Sequence, residues 1–301
     1  MELWIPITVF AAFMQNLRSA LQKHLKGTLS TSGATFTRFL YATPAALLYL
    51  TGLVVFGGYA LPAATVGFVL FTIIGGLSQI AATALLVYLF SFRNFAVGTA
   101  FSKTETIQTA IFGIIVLGEA ISPAATIAIL ISLVGVIMLS VTKPPGSVRS
   151  VLTQCFEWPA LIGIASGAMF AVTAISVRAA SLSLASGDFV IRAAFALACA
   201  TVFQTIVMAV YIWWREPGQV TAVIRQWRVA SLVGLSGVLG SAGWFTAMAL
   251  QNAAYVRALG QVELVFTFAV TYIYFREHTS RNELTGILLL VSGIVVLLLA
   301  R

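Results

Sequence analysis

Three polar clusters interrupt an otherwise apolar chain, each at a spacing that would let it do chemistry. Gln15, Arg18, Ser19 and Gln22 recur at i, i+3, i+4 and i+7 and so share one face of a helix. Ser102, Glu105, Gln108 and Thr109 form a second stripe, with Lys103 on an adjoining face. Gln261 and Glu263 form the third, with Arg257 one to two turns earlier. An Arg at the centre of a bilayer and facing lipid costs about 2.5–3.5 kcal/mol on insertion scales. The stripes are therefore expected to turn inward and wall a cavity that a solute can reach. For Arg18 a second reading stands, in which the side chain snorkels to headgroups beside Lys23 and Lys26. Glu105 lies near the middle of its apolar window, so its carboxylate must be protonated, hydrogen-bonded or paired. Lys103, Arg18 and Arg38 are the candidate partners. Glu105 and Glu263 could relay protons, as carboxylates inside membranes do. They could instead tie a helix to its neighbour, and packing accounts for them at least as well.

Composition says which elements must hold these side chains. Of 301 residues, 60% are apolar and 9% charged, and the mean hydropathy is +1.01; a soluble domain is about 25% charged. So few charges cannot cover a soluble surface, and a lipid bilayer must solvate much of the chain. The net charge of +8 then records orientation in the membrane, not contact with nucleic acid. Ten apolar windows reach the roughly 20 residues that a core of about 30 Å demands. They are 4–22, 33–56, 63–89, 95–117, 122–142, 158–178, 187–213, 228–249, 253–275 and 281–300. The opening Met1-Glu2-Leu3-Trp4 lacks the basic region of a cleaved signal, so the first window counts as a span. Cys155, beside the mid-chain linker, and Cys199, inside an apolar run, read as ordinary small apolar residues with no disulfide between them.

A shift of 158 residues overlays 76–139 on 234–297 without a gap. Gly76-Leu77-Ser78 falls on Gly234-Leu235-Ser236, Asn94 on Asn252, Glu105 on Glu263, Thr109 on Thr267, Glu119 on Glu277 and Gly135 on Gly293. With only eight glutamates in the chain, two aligned pairs are hard to obtain from composition. Arg38 corresponds approximately to Arg192, at a slightly different offset. The chain thus reads as an all-α membrane protein of ten transmembrane helices, duplicated as residues 1–142 and 158–301 around a linker at 143–157. Five spans per unit make the second copy inverted, an arrangement that secondary transporters use.

The segment Leu117-Gly118-Glu119-Ala120-Ile121-Ser122 resembles the Leu-Gly-Glu-x-(Ile/Leu)-(Ser/Thr) signature of EamA-type carriers, in the drug/metabolite transporter superfamily. In that signature a Glu-Pro pair precedes by fourteen residues; Glu105 and Glu263 hold its glutamate position, with Thr106 and Leu264 in place of the prolines. In the second copy Arg276 replaces the signature glycine. The resemblance implies a ten-helix carrier with a central cavity, moving an amino acid or related small metabolite, often outward. Such a cavity would bring Phe170, Thr173 and Trp244 beside the three polar clusters. Protons or exchange would drive transport, since the sequence has no ATP-binding element and no cofactor or metal motif.

Enzymatic and channel readings are weaker. His24 and His278 are too far apart for a metalloprotease helix, and Asp188 is alone where an aspartyl intramembrane protease needs two. Gly234-Leu235-Ser236-Gly237 matches the short rhomboid pattern, but a nucleophilic Ser needs a base on a facing helix. A channel would more naturally be a cyclic multimer of short subunits. Glu119 and Glu277, at span ends, are expected to face the N-terminal dipoles of the helices that follow. Loops after odd-numbered spans hold ten of the seventeen Lys and Arg residues, which places both termini outside the cytoplasm of an inner-membrane protein.

Overall fold

The computed structural model describes residues 2–92, 101–140, 157–266 and 281–299, and every regular element among them is a helix. In the first half these are α1 (Trp4–Leu25), α2 (Thr31–Leu40), α3 (Ala42–Val55) and α4 (Val66–Leu89). A 3₁₀ turn (Ser102–Thr104), α5 (Glu105–Phe112), a π-helical turn (Gly113–Leu117) and α6 (Pro123–Ser140) follow. The second half has α7 (Trp158–Leu182), α8 (Phe189–Arg215), α9 (Gln219–Arg225), α10 (Trp227–Leu250), α11 (Ala253–Gly260) and α12 (Arg281–Leu299). Five segments are long and apolar enough to cross a membrane: α2 with α3, α4, α7, α8 and α10. Shorter apolar stretches lie in α6 and α12, and α1 has the length but also the polar stripe.

Local chemistry sets the helix ends. Ser30, Thr65, Asp188 and Asn252 each accept a hydrogen bond from a backbone N–H in the first turn of α2, α4, α8 and α11. The division between α2 and α3 follows from Pro44, which lacks the N–H that would bond the Leu40 carbonyl. At the end of the π-helical turn, Gly118 takes φ +66°, a conformation that favours glycine.

The most extensive packing joins α4 to α7, α6 to α12 and α1 to α10, so each of these pairs takes one helix from each half. On the 158-residue shift α4 is the counterpart of α10, and the pairing is reciprocal: α1 lies on α10 as α7 lies on α4. Small residues permit it. A Cβ on Gly135 would come 2.6 Å from the Gly286 carbonyl oxygen, and one on its counterpart Gly293 would come 2.8 Å from that of Ala128. Leu48, Val66, Ile115 and Leu288 are exposed, whereas Arg18, Arg38, Glu105, Arg257 and Glu263 are buried. That distribution reverses the rule for proteins in water and suits an apolar surrounding.

Candidate functional site

The two aligned glutamates sit immediately after breaks in their helices. Glu105 follows the 3₁₀ turn, and Glu263 follows the turn at Gln261 where α11 ends. The breaks themselves align on the same shift, Ser102 with Gly260 and Lys103 with Gln261. No proline stands at either, yet both backbones leave the α-helical ladder. On the first-half side, Gly167 of α7 lets the loosened turn approach: a Cβ there would come 2.7 Å from the Ser102 carbonyl oxygen. The corresponding space beside Gly260 is taken by the Trp244 ring.

Each carboxylate takes its cation from the opposite half. Lys103 forms an ion pair with Glu263, which also accepts from Gln15 Nε2 at 2.8 Å, while Asn16 Nδ2 donates to the Glu263 carbonyl at 3.1 Å. Arg257 stands 3.5 Å from Glu105 and lies over the Trp244 ring, 4.6 Å from its centroid. The expectation for Glu105 is therefore corrected: its ion-pair partner is Arg257, not Lys103, Arg18 or Arg38. Lys103, two residues away on the loosened turn, reaches Glu263 of the facing half instead. Gln261 Nε2 adds a hydrogen bond to Thr106 Oγ1 at 2.6 Å. The Thr106 hydroxyl, where the signature has proline, thereby becomes a tie between the halves.

Arg18 is 2% exposed, so it does not snorkel. Its stem and that of Arg38 flank Gly237 of α10. Arg38, at the last turn of α2, donates to Thr83 Oγ1 at 2.6 Å. It is buried, whereas Arg192 opens α8 near the surface and donates to the carbonyls of Ser186 and Gly187, so the two arginines have unlike surroundings.

Two cavities adjoin this cluster. A vestibule of about 220 Å³ has Gln15, Ser19, Ser102, Glu105, Phe170 and Glu263 in its wall, and reaches Lys23 and Phe90 at the ends of α1 and α4. Beyond Gln15 and Phe170, which wall both, a much smaller inner cavity meets Arg38, Gln79, Thr173, Trp244 and Arg257. Of the residues proposed from sequence, Gln15, Ser19, Ser102, Glu105, Phe170, Thr173, Trp244 and Glu263 thus gather around one path. Four others do not line it. Gln22 donates to the Ala34 carbonyl and fastens α1 to α2, Gln108 donates to Thr104 on its own turn, and Gln261 joins the halves. Arg18 is packed behind the wall. Gln79 joins the path unannounced by the sequence, because an isolated amide on an apolar helix has no periodic signal. Gln79 is held by a 2.7 Å bond from Gln204 on α8.

The far end of the bundle is tied across the halves. Ser166 meets Ala82 and Ser183 meets Gly67, so α7 runs antiparallel to α4 and Arg178 lies toward the end away from Phe90. Arg178 pairs with Glu119 and donates to the carbonyls of Met248 at 2.7 Å and Gln251 at 2.8 Å. Glu119 is thus a latch partner across the halves and not a helix cap; α6 is capped by Ser122, which accepts from Ala125 N at 3.1 Å. Glu277, His278 and Cys155 lie outside the described residues. Ser236 donates to the Leu232 and Val233 carbonyls of its own helix.

No family model and no curated protein matches this sequence. Among solved structures, a crystal structure of a protein superposes with a TM-score of 0.70 on 99% of this chain and 98% of its own length, at 16% identity. What the two chains share at that identity is the fold, along their whole length.

Proposed function

We propose that the chain is a secondary carrier of a small metabolite, with ten spans in two inverted five-helix repeats, working by alternating access in the cytoplasmic membrane. The observation behind this reading is a charged cavity between the halves, open at one end and latched at the other. Its walls exchange ion pairs reciprocally, Lys103 with Glu263 and Arg257 with Glu105. A pseudo-symmetric site of this kind has a second arrangement available at comparable energy, in which the closed and open ends change places. Broken helices at the site favour the same conclusion, because irregular backbone at membrane depth is tolerated where it lines a cavity. The positive-inside bias puts the Lys23 end in the cytoplasm and both termini outside. The described state is then inward-facing, and metabolite export is the natural direction. EamA-type carriers remain the family this arrangement resembles in sequence.

Liposomes containing the purified chain and preloaded with a mixed metabolite extract test this directly. At least one internal solute should exchange with its labelled form outside, read by mass spectrometry, well above empty liposomes and above an Arg257→Gln variant. Exchange no faster than in empty liposomes would refute the carrier reading.

A further inference from the structure

Six ionisable side chains meet in the interior, and their charges do not cancel. Arg18, Arg38, Lys103 and Arg257 are each at least nine-tenths buried, as are Glu105 and Glu263. Arginine does not deprotonate in proteins. Among the described residues, three guanidinium groups therefore face at most two carboxylate charges, leaving a surplus of one positive charge whatever Lys103 does and of two when it is protonated. Protonation of either glutamate enlarges the surplus. Buried charge without a counterion is among the most costly arrangements a protein can hold, and more so away from water at both faces.

The hydrogen-bond inventory has the same sign. Glu263 is occupied by Lys103 and Gln15, and the one pairing across to Glu105 is the 3.5 Å approach of Arg257. Among the described residues, the buried Nε and Nη2 of Arg18, Nε of Arg257 and Nε1 of Trp244 have no hydrogen-bond acceptor, and Arg257 Nη1 has only the 3.5 Å approach to Glu105. The leftover acceptors nearby are amide oxygens of Gln204 and Gln261, which carry no charge to balance a guanidinium. Arg257 and Trp244 wall the inner cavity, with Arg38 facing them across it. The vestibule leading there has Lys23 and Lys103 in its wall together with Glu105 and Glu263, so the unbalanced positive charge lies at its inner end.

We propose that the cargo is a small organic oxyanion, a carboxylate or phosphate ester, whose oxygens accept from Arg257 and Trp244 at the inner cavity and whose charge neutralises the surplus. A guanidinium fork and an indole N–H match the lone pairs of such a group, and Phe170 offers an apolar surface to the remainder of the molecule. At about 220 Å³ the vestibule lies below the range of drug-sized sites, which fits a compact metabolite. This assignment rests on the carrier reading for its use of the word cargo, but the binding site stands on charge and geometry.

Thermal stability of the detergent-purified chain at constant ionic strength tests it with three matched pairs: succinate against succinamide, benzoate against benzamide, and glycerol 3-phosphate against glycerol. At least one anion should raise Tm saturably by several degrees while its neutral partner does not. Arg257→Gln should weaken that anion at least tenfold and Trp244→Phe, which loses the N–H, severalfold, and Arg257→Lys, which keeps the charge and loses the fork, should fall between Arg257→Gln and the unaltered chain; the lysine variant serves if the glutamine variant does not fold. Equal shifts from neutral partners, or no shift from any anion in the panel, overturn the proposal. So does saturation by sulfate or chloride alone, which would make the occupant an inorganic counterion. Liposome exchange of the same solutes separates the two readings. An anion that binds but is not exchanged sinks the carrier reading and leaves the site, whereas exchange of a neutral or cationic solute without any anion effect does the opposite.

Discussion

Removing the Arg178 side chain should unlatch the closed end. Its guanidinium makes an ion pair with Glu119 and two hydrogen bonds to the last carbonyls of α10, joining three segments that belong to different halves. A charge-assisted hydrogen bond contributes about 1.5–3 kcal/mol net, and contacts that share one side chain do not add. Breaking a buried pair costs about 3–5 kcal/mol, and the two side chains here are 14% and 16% exposed, which argues for the lower end. If the latch exists in the described state alone, Arg178→Ala raises that state by about 3 kcal/mol relative to the alternative, or roughly 150-fold in the equilibrium. A carrier resting at about 99:1 would then spend about half its time open at the other end. The reporter is a single cysteine at Thr173 in the inner cavity, in a chain with Cys155 and Cys199 replaced by Ser. A membrane-impermeant maleimide applied from outside should label it tens of times faster with Arg178→Ala than without. Glu119→Gln, which keeps an acceptor and loses the charge, should lie between. An increase below threefold in folded Arg178→Ala protein would show that these contacts do not hold the end closed.

Three further outcomes follow from named contacts. Glu263→Gln leaves Lys103 buried without its carboxylate and should lower Tm, at a cost of about 3–5 kcal/mol; Lys103→Gln with Glu263→Gln should recover most of it, and equal losses in single and double variants would refute reciprocal pairing. Gly135→Ala should destabilise by about 1–3 kcal/mol through overpacking, since its Cβ would meet the Gly286 carbonyl, whereas Gly52→Ala, with open space around it, should not lower Tm. Alkaline phosphatase fused after Arg301 should be active and a cytoplasm-dependent fluorescent protein dark; the reverse pattern would show that the ten basic loop residues do not set topology.

Helix positions were legible because apolar windows report them directly. The window at 158–178 became α7 (Trp158–Leu182) and that at 228–249 became α10 (Trp227–Leu250). What the windows could not report is continuity. Residues 101–117 read as one apolar stretch, yet they pass from a 3₁₀ turn through α5 into a π-helical turn. Hydropathy sums over side chains and is blind to which backbone carbonyl each N–H selects. The short α9 was equally invisible, because seven residues carry too little periodicity to separate a helix from a loop.

The site was legible residue by residue and illegible as a set of pairings, for a physical reason. The stripe on α1 and the aligned glutamates identify side chains that must avoid lipid, since that penalty acts on each group alone. Which cation answers which carboxylate depends on the crossing of helices from opposite halves, a relation some 150 residues apart in the chain. Arg257 shows the consequence. In sequence it stands a turn and a half before Glu263 and invites pairing there, but α11 ends at Gly260 and the turn at Gln261 carries the chain out of the helical ladder. Arg257 meets Glu105 instead, and Lys103 crosses to Glu263. Two carboxylates that each draw a cation from the opposite half leave Arg18 and Arg38 without a carboxylate among the described residues. The crossed pairs therefore couple the halves and, by the same geometry, leave the positive charge that an incoming anion would neutralise.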